Sequence, residues 1–276
     1  YKDRGSTLLI SRVLELGLDE VVEDSSGNAG ASVAAYCAKA GVRCQIFVPE
    51  STSDGKLVQI RLAGAELNKV PGSREATAAK ALEAAETVFY ASHVYNPYFF
   101  QGTKTFAYEC WEQLGQDMPE YLVLPAGNGT LLLGAYIGFS EIFAAGLMRH
   151  MPKLVAVQAA NCSPLAQAWQ AGLESYGQLK TSPTLAEGIA IAEPARGAQM
   201  MQAVSKSKGE FLSVEEEELL MALKLCLDQG YFIEPTAAAA FAGARQLLDK
   251  GVDADNILTV FTGHGLKAAS TLAKCF

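Results

Sequence analysis

The sequence predicts an α/β fold built from doubly wound parallel sheets, and three observations support this prediction. Short apolar and β-branched runs alternate with alanine-rich helical patterns from one end of the chain to the other. Some of these runs contain continuous apolar stretches of four residues, such as Tyr121–Leu124 and Leu154–Val157, which is typical of strands buried on both faces. Loops rich in glycine and small polar residues follow three of the runs. Together these features indicate parallel sheets covered by helices.

The elements follow one another in a regular order. Seven strands are predicted: Glu20–Glu23, Cys44–Val48, Glu66–Val70, Val88–Ala91, Tyr121–Leu124, Leu154–Gln158 and Ile257–Phe261. The helical patterns between them include Ala31–Ala40, Lys56–Leu62, Arg74–Thr87 and Leu131–Ala145. The Asn96-Pro97 pair is a signal for a turn and a helix start, so we place a domain junction there. We therefore expect a smaller α/β domain over residues 1–98 and a larger one over residues 99–276, with about four strands before the junction and at least three after it.

Composition limits the functional classes. The chain has 276 residues, of which 50% are hydrophobic and 19% charged, so it has ample apolar material for a core and is neither disordered nor collagen-like. Its net charge is −8, from 22 Lys and Arg against 30 Asp and Glu, and no basic run occurs. This balance argues against a nucleic-acid partner and favours a protein that handles small molecules.

Cysteines and hydropathy predict the cellular setting. The six cysteines form no C-x-x-C pair, so neither a structural zinc site nor a thioredoxin motif is indicated, and we expect reduced thiols in the cytoplasm. No apolar stretch reaches about 18 residues, so no membrane span is expected, and no signal peptide is recognisable. Because Tyr1 lies in the middle of a motif described below, we expect a further segment before it in the complete protein.

Three loops at strand ends are the candidates for ligand binding, because ligands of open α/β sheets bind beyond the carboxyl ends of the strands. They are Asp24–Gly30, Pro125–Thr130 and Thr262–Lys267. Glycine lets backbone N–H groups converge on an anion, and a following helix adds a partial positive charge. Each loop alone could be a tight turn with a helix cap. Three such loops in one chain favour either two anions or one ligand with several polar groups.

Several common chemistries are excluded by their motifs. The chain contains no G-x-x-x-x-G-K-[ST] string for a nucleotide phosphate and no G-x-S-x-G elbow for a serine hydrolase. The third loop fits G-x-G-x-x-A, but a dinucleotide site also needs a following strand with an acidic residue, and the sequence ends at Phe276. The three histidines are scattered, so we expect no metal site.

The motifs taken together identify a family resemblance over essentially the whole chain. The opening Tyr1–Gly5 (YKDRG) resembles the Ser-[Phe/Tyr]-Lys-Asp-Arg-Gly motif of fold type II pyridoxal-phosphate enzymes, threonine synthases especially. Ser25–Gly30 (SSGNAG), Thr262–Lys267 (TGHGLK) and Glu234–Thr236 (EPT) with the alanine run after it are similar to threonine synthase motifs and occur in the same order. The resemblance implies two doubly wound parallel-sheet domains with pyridoxal phosphate in the cleft between them.

The resemblance also implies a role for three single residues. Lys2 would form the Schiff base with pyridoxal phosphate and, once freed, act as the general base that removes the α-proton. Asn28 would form a hydrogen bond with the phenolic oxygen of the cofactor. Thr262 would face the pyridine nitrogen, and a neutral hydroxyl there leaves the nitrogen largely unprotonated, which suits elimination and replacement better than transamination.

Two loops have implied roles as sets of residues. The pocket for the substrate carboxylate would be lined by Ser25, Ser26, Gly27 and Ala29. The cofactor phosphate would be held by backbone N–H groups of Gly127, Asn128, Gly129 and Thr130. The family loop is usually richer in glycine, so Asn128 is a mild departure.

One segment departs from the threonine synthase pattern. Threonine synthases usually carry Asn-Ser-x-Asn-Pro-x-Arg before the helix that joins the domains, where the polar residues and Arg hold the phosphate of phosphohomoserine. Here Asn, Ser and Arg are replaced by His93, Val94 and Phe99. Phenylalanine offers no substitute for the bidentate fork of arginine, so we expect poor turnover of phosphohomoserine unless Lys104 or Arg196 holds the phosphate.

The resemblance leaves several functions open. It implies a pyridoxal-phosphate-dependent lyase that acts on an amino acid by β/γ-elimination or replacement, as threonine synthases do. A threonine or serine dehydratase-type ammonia-lyase is the alternative, because its hydroxyl leaving group needs no second phosphate site. A non-catalytic cofactor-binding relict is the third possibility. We also expect a homodimer with no nucleic-acid or membrane partner.

Overall fold

The chain forms two compact units, Tyr1–Thr103 and Lys104–Phe276. They were defined in a computed structural model that describes residues 1–173, 175–177 and 180–276. Each unit contains a four-stranded sheet in which every pair of neighbouring strands is parallel. The prediction of an α/β fold with two parallel sheets is confirmed.

Unit 1 is built around the sheet β3-β2-β1-β4. Its strands are β1 (Glu20–Glu23), β2 (Arg43–Pro49), β3 (Glu66–Val70) and β4 (Phe89–Tyr90). Its helices are α1 (Lys2–Glu15), α2 (Asn28–Ala40), α3 (Asp54–Leu62), α4 (Arg74–Ala84) and α5 (Pro97–Thr103). Strand β1 lies in the middle of the sheet, with Val21 opposite Cys44 on one side and opposite Phe89 on the other.

The core of unit 1 explains why α5 belongs to it. Phe99 is 0% exposed and packs in the same cluster as Leu9, Val33 and Ile46. A Cβ at Gly5 of α1 would overlap the Phe99 ring, so glycine at this position lets α1 and α5 approach closely. The boundary found after Thr103 therefore lies five residues beyond the predicted one after residue 98.

Unit 2 repeats this strand order in the sheet β7-β6-β5-β8. Its strands are β5 (Tyr121–Pro125), β6 (Lys153–Ala159), β7 (Glu210–Val214) and β8 (Ile257–Thr259). Its helices are α6 (Thr105–Gln113), α7 (Thr130–Ala144), α8 (Pro164–Gln170), α9 (Gly197–Lys206), α10 (Glu216–Asp228), α11 (Pro235–Asp249) and α12 (Ala269–Cys275). Short 3₁₀ turns occur at Glu187–Ile189, Ala254–Asn256 and Gly265–Ala268.

Local sequence explains how the helices of unit 2 begin. Glu215 and Glu218 form a reciprocal capping box at the start of α10, and Pro235 occupies the first turn of α11, where its missing N–H costs nothing. The alanine run of α11 is buried in a cluster with Val123 and Val157. Small side chains there let the helix pack closely against the sheet.

All seven predicted strands are present, although their ends shift by one or two residues. Strand β7, which lies at the edge of the sheet, was missed, although its sequence EFLSV carries fewer polar residues than the predicted edge strand β3. Helix α1 was also missed. The six cysteines are all free of disulfide bonds.

Candidate functional site

The strand order defines where a ligand of each sheet would bind. In both sheets the first strand of the unit lies between the second and the fourth, so the direction of winding reverses between β1 and β4 and between β5 and β8. Such reversal points open a crevice at the carboxyl ends of the strands. The three glycine-rich loops follow β1, β5 and β8. The structure therefore places every predicted loop beside a reversal point.

The loop after β1 is fixed through Ser25. Its N–H donates to the carboxylate of Glu23, and its hydroxyl accepts the N–H of Gly27 at 3.3 Å. A Cβ at Gly30 would overlap the carbonyl oxygen of Ser25, so this glycine lets the first turn of α2 close on the loop. Ser25 and Ser26 are half-buried, whereas the methyl group of Ala29 is buried in the core.

Lys2 lies at the first position of α1, and α1 is tied to α2 beside the same loop. The hydroxyl of Ser32, one turn after Asn28, donates to the carboxylate of Asp3 at 2.6 Å and contacts the Ser6 hydroxyl at 2.8 Å. The Nζ atom of Lys2 lies 5.9 Å from the centre of the Phe99 ring. Within unit 1, the structure thus brings the predicted lysine and the start of α2 to the same end of two packed helices.

A buried network of ionisable side chains lies next to the loop after β1, and no local sequence pattern predicted it. The carboxylate of Glu23 is 2.7 Å from Nδ1 of His93, and Tyr90 donates its hydroxyl to Asp24 at 2.9 Å. Burial raises the pKa of Glu23 to about 7 and raises that of Asp24, while burial and the positive charge of Lys2 lower the pKa of His93. His93 is therefore neutral at physiological pH.

The loop after β5 forms a tight cradle at the start of α7. Gly129 has φ +81°, in the left-handed region that favours glycine, and a Cβ there would overlap the buried thioether of Met200. A Cβ at Gly127 would lie 3.1 Å from the carbonyl oxygen of Gly188. The Asn128 side chain accepts the N–H of Ala195 at 3.4 Å. The loop backbone leads directly into the N-terminus of α7, which favours an anion.

The Gln158 side chain supports the loop after β5 through hydrogen bonds, and the sequence analysis did not identify this residue. It is fully buried on β6, donates to the carbonyl of Ala126 at 3.4 Å and accepts the N–H groups of Leu165 and Ala166 at 2.9 and 3.0 Å. A glutamine within an apolar strand was the signal that could have identified it.

The loop after β8 contains an unsatisfied hydroxyl. Thr262 is 8% exposed, and its Oγ1 has no hydrogen-bond partner among the residues that the structure describes. The loop is held by the segment before α11, since Glu234 N–H donates to Gly263 and Gly265 N–H donates to Phe232. A buried hydroxyl without a partner costs stability, so Thr262 is suited to a ligand atom that forms a hydrogen bond.

Comparison with known proteins identifies that ligand class. The family model described as "Pyridoxal-phosphate dependent enzyme" matches residues 1–263. The chain belongs to this family. It is 34% identical over 272 residues to the threonine synthase of Methanocaldococcus jannaschii, covering 97% of this chain and 67% of that protein. It is 33% identical over 282 residues to the threonine synthase of Mycobacterium tuberculosis, covering 99% and 75%.

Solved structures support the same fold. The processed form of threonine deaminase isoform 2 from Solanum lycopersicum superposes with a TM-score of 0.84 at 23% identity, covering 99% of this chain and 73% of that chain. Maize serine racemase gives a TM-score of 0.84 at 20% identity, covering 99% and 82%.

The protein is a pyridoxal-phosphate-dependent lyase of the threonine synthase type, with the fold type II architecture that the resemblance implied.

The residues of unit 2 fit the cofactor. The loop from Gly127 to Thr130 offers backbone N–H groups at a helix start, which is the chemistry a phosphate needs. The unsatisfied hydroxyl of Thr262 offers a neutral partner for a ring nitrogen.

Among the described residues, no group of three or more His, Cys, Asp or Glu side chains could hold a metal ion. In the same part of the chain, no helix is long and apolar enough to cross a membrane.

Replacing Thr262 by valine is expected to stabilise the cofactor-free protein and weaken the stabilisation that pyridoxal phosphate provides. Valine has the same shape and removes a buried hydroxyl whose lack of a partner costs roughly 1–3 kcal/mol. Thermal unfolding with and without the cofactor measures both effects. Thr259→Val at the end of β8 is the control, because the Thr259 hydroxyl already donates to Val123 at 3.0 Å and its loss should only destabilise. A Thr262→Val variant less stable than the wild type without cofactor would contradict this account.

Proposed function

We propose that the protein uses pyridoxal phosphate to eliminate or replace a leaving group on the β or γ carbon of an amino acid, with Lys2 as the essential lysine. The observation that carries this proposal is the hydrogen bond between Asp3 and Ser32, which fixes the start of α1 against α2. It holds Lys2 beside the helix that opens with the loop Ser25–Ala29.

Each unit supplies a defined set of contacts in this proposal. In unit 2, the backbone N–H groups of Gly127, Asn128, Gly129 and Thr130 hold the cofactor phosphate, and Thr262 faces the ring nitrogen. In unit 1, Asn28 holds the phenolic oxygen, and Lys2 holds the cofactor covalently. Support comes from the positive φ of Gly129, the unsatisfied Thr262 hydroxyl and the position of Asn28 at the first turn of α2.

The chemistry divides between the cofactor and the chain. Pyridoxal phosphate, when bound, delocalises the electron pair that remains after a proton leaves Cα of the amino acid. Lys2 takes this proton at Nζ as the general base. The pocket for the substrate carboxylate is lined by the hydroxyls of Ser25 and Ser26 and by the backbone of Gly27 and Ala29. Because alanine has no polar side chain, Ala29 contributes through its backbone alone.

A deaminating ammonia-lyase is the second candidate, and two observations favour it. Phe99 stands where the threonine synthase pattern has arginine, and its ring is fully buried in the core of unit 1. Lys104, a possible substitute for that arginine, pairs with Glu141 at 2.9 Å, so its charge is compensated. Neither position provides an uncompensated cation for a substrate phosphate, whereas threonine and serine lose only a hydroxyl group.

A substrate panel distinguishes the two functions. We expect slow phosphate release from O-phosphohomoserine, because the loss of one charge-assisted contact costs about 10- to 100-fold in specificity. Keto acid release from threonine and serine is measured in parallel with the complete protein. Phosphate release at about 10 s⁻¹, an ordinary enzymatic rate, would show that another cation holds the phosphate and that threonine formation is the function. Turnover of none of the three substrates would contradict the elimination and replacement proposal.

We also propose that the protein works as a homodimer in the cytoplasm. Phe143 and Leu147 are each about half exposed near the end of α7, and their apolar side chains offer a surface for a second copy of the chain. The six free cysteines suit a reducing compartment. Sedimentation of the complete protein at micromolar concentration tests the first point, and a monomer would contradict it.

A further inference from the structure

Glu23 is a fully buried carboxylate that the proposed chemistry does not use. It ends β1, next to the reversal point of the first sheet, and follows the buried residues Val21 and Val22. Burying a carboxylate is costly unless its oxygen atoms accept hydrogen bonds. A glutamate in this position therefore needs a structural or functional reason.

Both oxygen atoms of Glu23 have partners, and these come from different segments. Oε1 is 2.7 Å from Nδ1 of His93, which follows β4, and Oε2 accepts the N–H of Ser25. The His93 ring is itself held edge-on by Phe99, with ring centres 6.0 Å apart. One carboxylate thus links the end of β1, the loop after β1 and the segment after β4.

The backbone of this loop is fixed at several points around Ser25. The Ser25 hydroxyl accepts the N–H of Gly27, and the Ser25 carbonyl lies against Gly30. The Tyr90 hydroxyl donates to the neighbouring Asp24 carboxylate at 2.9 Å. The hydrogen bond to Glu23 fixes the remaining polar group of Ser25, its N–H. The direction in which the N–H groups and hydroxyls of Ser25–Ala29 point therefore depends on the Glu23 carboxyl group.

Burial has the largest effect on the protonation of Glu23, and nearby charges modify it. The ionisable groups that interact with it or with its partner His93 include Lys2 of α1, Asp24 of the loop, Cys44 of β2, Arg74 of α4 and Tyr90 of β4. Burial raises the pKa of Glu23 to about 7, so the carboxyl group is partly protonated at neutral pH. Both forms retain an oxygen atom that accepts the Ser25 N–H, because a protonated carboxyl keeps its carbonyl oxygen.

We propose that Glu23, held by His93, is a positioning residue that sets the geometry of the Ser25–Ala29 loop for the carboxylate of the amino-acid substrate. It acts through the Ser25 N–H and touches neither substrate nor cofactor. The inference rests on the proposed role of this loop as the site of the substrate carboxylate. A neutral acceptor of the same shape fulfils the positioning role, whereas an apolar side chain does not.

The test compares Glu23→Leu with Glu23→Gln in the holoenzyme at pH 8. Leucine removes both acceptors, so the KM for the amino acid is expected to rise about 10-fold or more while kcat changes less than about 3-fold. Glutamine keeps an acceptor for Ser25, and its KM is expected to stay within about 3-fold of the wild type. Glu20→Gln is the matched control, since Glu20 lies at the other end of β1 and pairs with Arg43 and Gln45. Its KM should not change.

Three further measurements test the positioning role of Glu23. His93→Phe keeps a ring against Phe99 but removes the second partner of Glu23, so the KM should rise by about 3- to 10-fold even if Glu23→Leu does not fold. Amide hydrogen exchange at Ser25 should be faster in Glu23→Leu than in the wild type and unchanged in Glu23→Gln. The melting temperature of Glu23→Gln should not fall, because the variant removes a buried charge.

The outcomes separate this inference from the proposed function. An unchanged KM in both Glu23→Leu and His93→Phe, or a Glu23→Gln variant as impaired as Glu23→Leu, would overturn the positioning role. If no amino acid binds to the wild type, the proposed function fails instead, and exchange at Ser25 then decides the positioning role. Equal exchange at Ser25 in the wild type and in Glu23→Leu would overturn the positioning role. If Glu23→Leu does not fold, equal exchange in the wild type and in His93→Phe would overturn it.

Discussion

Replacing Lys2 by alanine is expected to abolish the visible absorbance of the bound cofactor and reduce turnover by several orders of magnitude. The variant loses both the covalent attachment and the base that takes the α-proton, and groups that act as a unit in catalysis give such large losses. Lys2 begins α1, where Asp3 and Ser6 of the same helix are held by Ser32. The fold should therefore persist, because those contacts do not involve the lysine side chain. Absorbance spectra and thermal unfolding measure the two properties.

Lys39→Ala is the matched control for this variant. Lys39 is an exposed lysine in the last turn of α2, in the same unit but at the far end of the helix that begins with Asn28. Its replacement should leave both absorbance and turnover at wild-type values. A Lys2→Ala protein that still forms a borohydride-reducible adduct at another lysine would contradict the assignment.

Replacing Gly129 by valine is expected to weaken cofactor binding by about 10-fold or more while leaving Lys2 as the attached lysine. Gly129 has φ +81°, a conformation that costs an L residue roughly 1–2 kcal/mol, and more for a β-branched one. The new Cβ would also overlap Met200, which is fully buried and has little room to move. The loop must then change shape where its N–H groups converge. Titration with pyridoxal phosphate measures the loss.

Gly146→Val separates backbone strain from the effect on the cradle. Gly146 has φ +72° just beyond the other end of α7, and a Cβ there would meet no atom within 4 Å. This variant should lose stability through strain but bind pyridoxal phosphate as tightly as the wild type. Equal affinity in Gly129→Val and Gly146→Val would show that the loop after β5 is only a turn.

The sequence predicted the sheets well because buried parallel strands produce a clear local signal. Runs such as Tyr121–Leu124 and Leu154–Gln158 are apolar because both faces are covered, and both are central strands. Strand β7, at the edge of its sheet, was missed although it carries fewer polar residues than the predicted edge strand β3. Helix α1 was missed although Ser6, Leu9, Ile10 and Val13 repeat at the spacing of a buried helix face, whereas its close contact with α5 through Gly5 and Phe99 could not be seen in the sequence.

The candidate site could be predicted only in part, for a related reason. Glycine-rich loops can be recognised in the sequence because the local backbone requires glycine. Gly129 has a positive φ, and Gly30 lies too close to the Ser25 carbonyl for a side chain. The contact between Glu23 and His93 spans 70 residues of sequence and forms only when β1 and β4 become neighbours in the sheet. His93 and Phe99 looked like simple losses from the family pattern. In the structure they form part of a buried support for the loop after β1.

The most direct test of the central claim is borohydride reduction of the complete holoenzyme followed by peptide mapping. If the account is correct, reduction fixes one cofactor per chain as a phosphopyridoxyl group on Lys2, and the visible absorbance disappears at the same time. Modification of any other lysine, or no modification of a protein that carries the cofactor, would contradict the account.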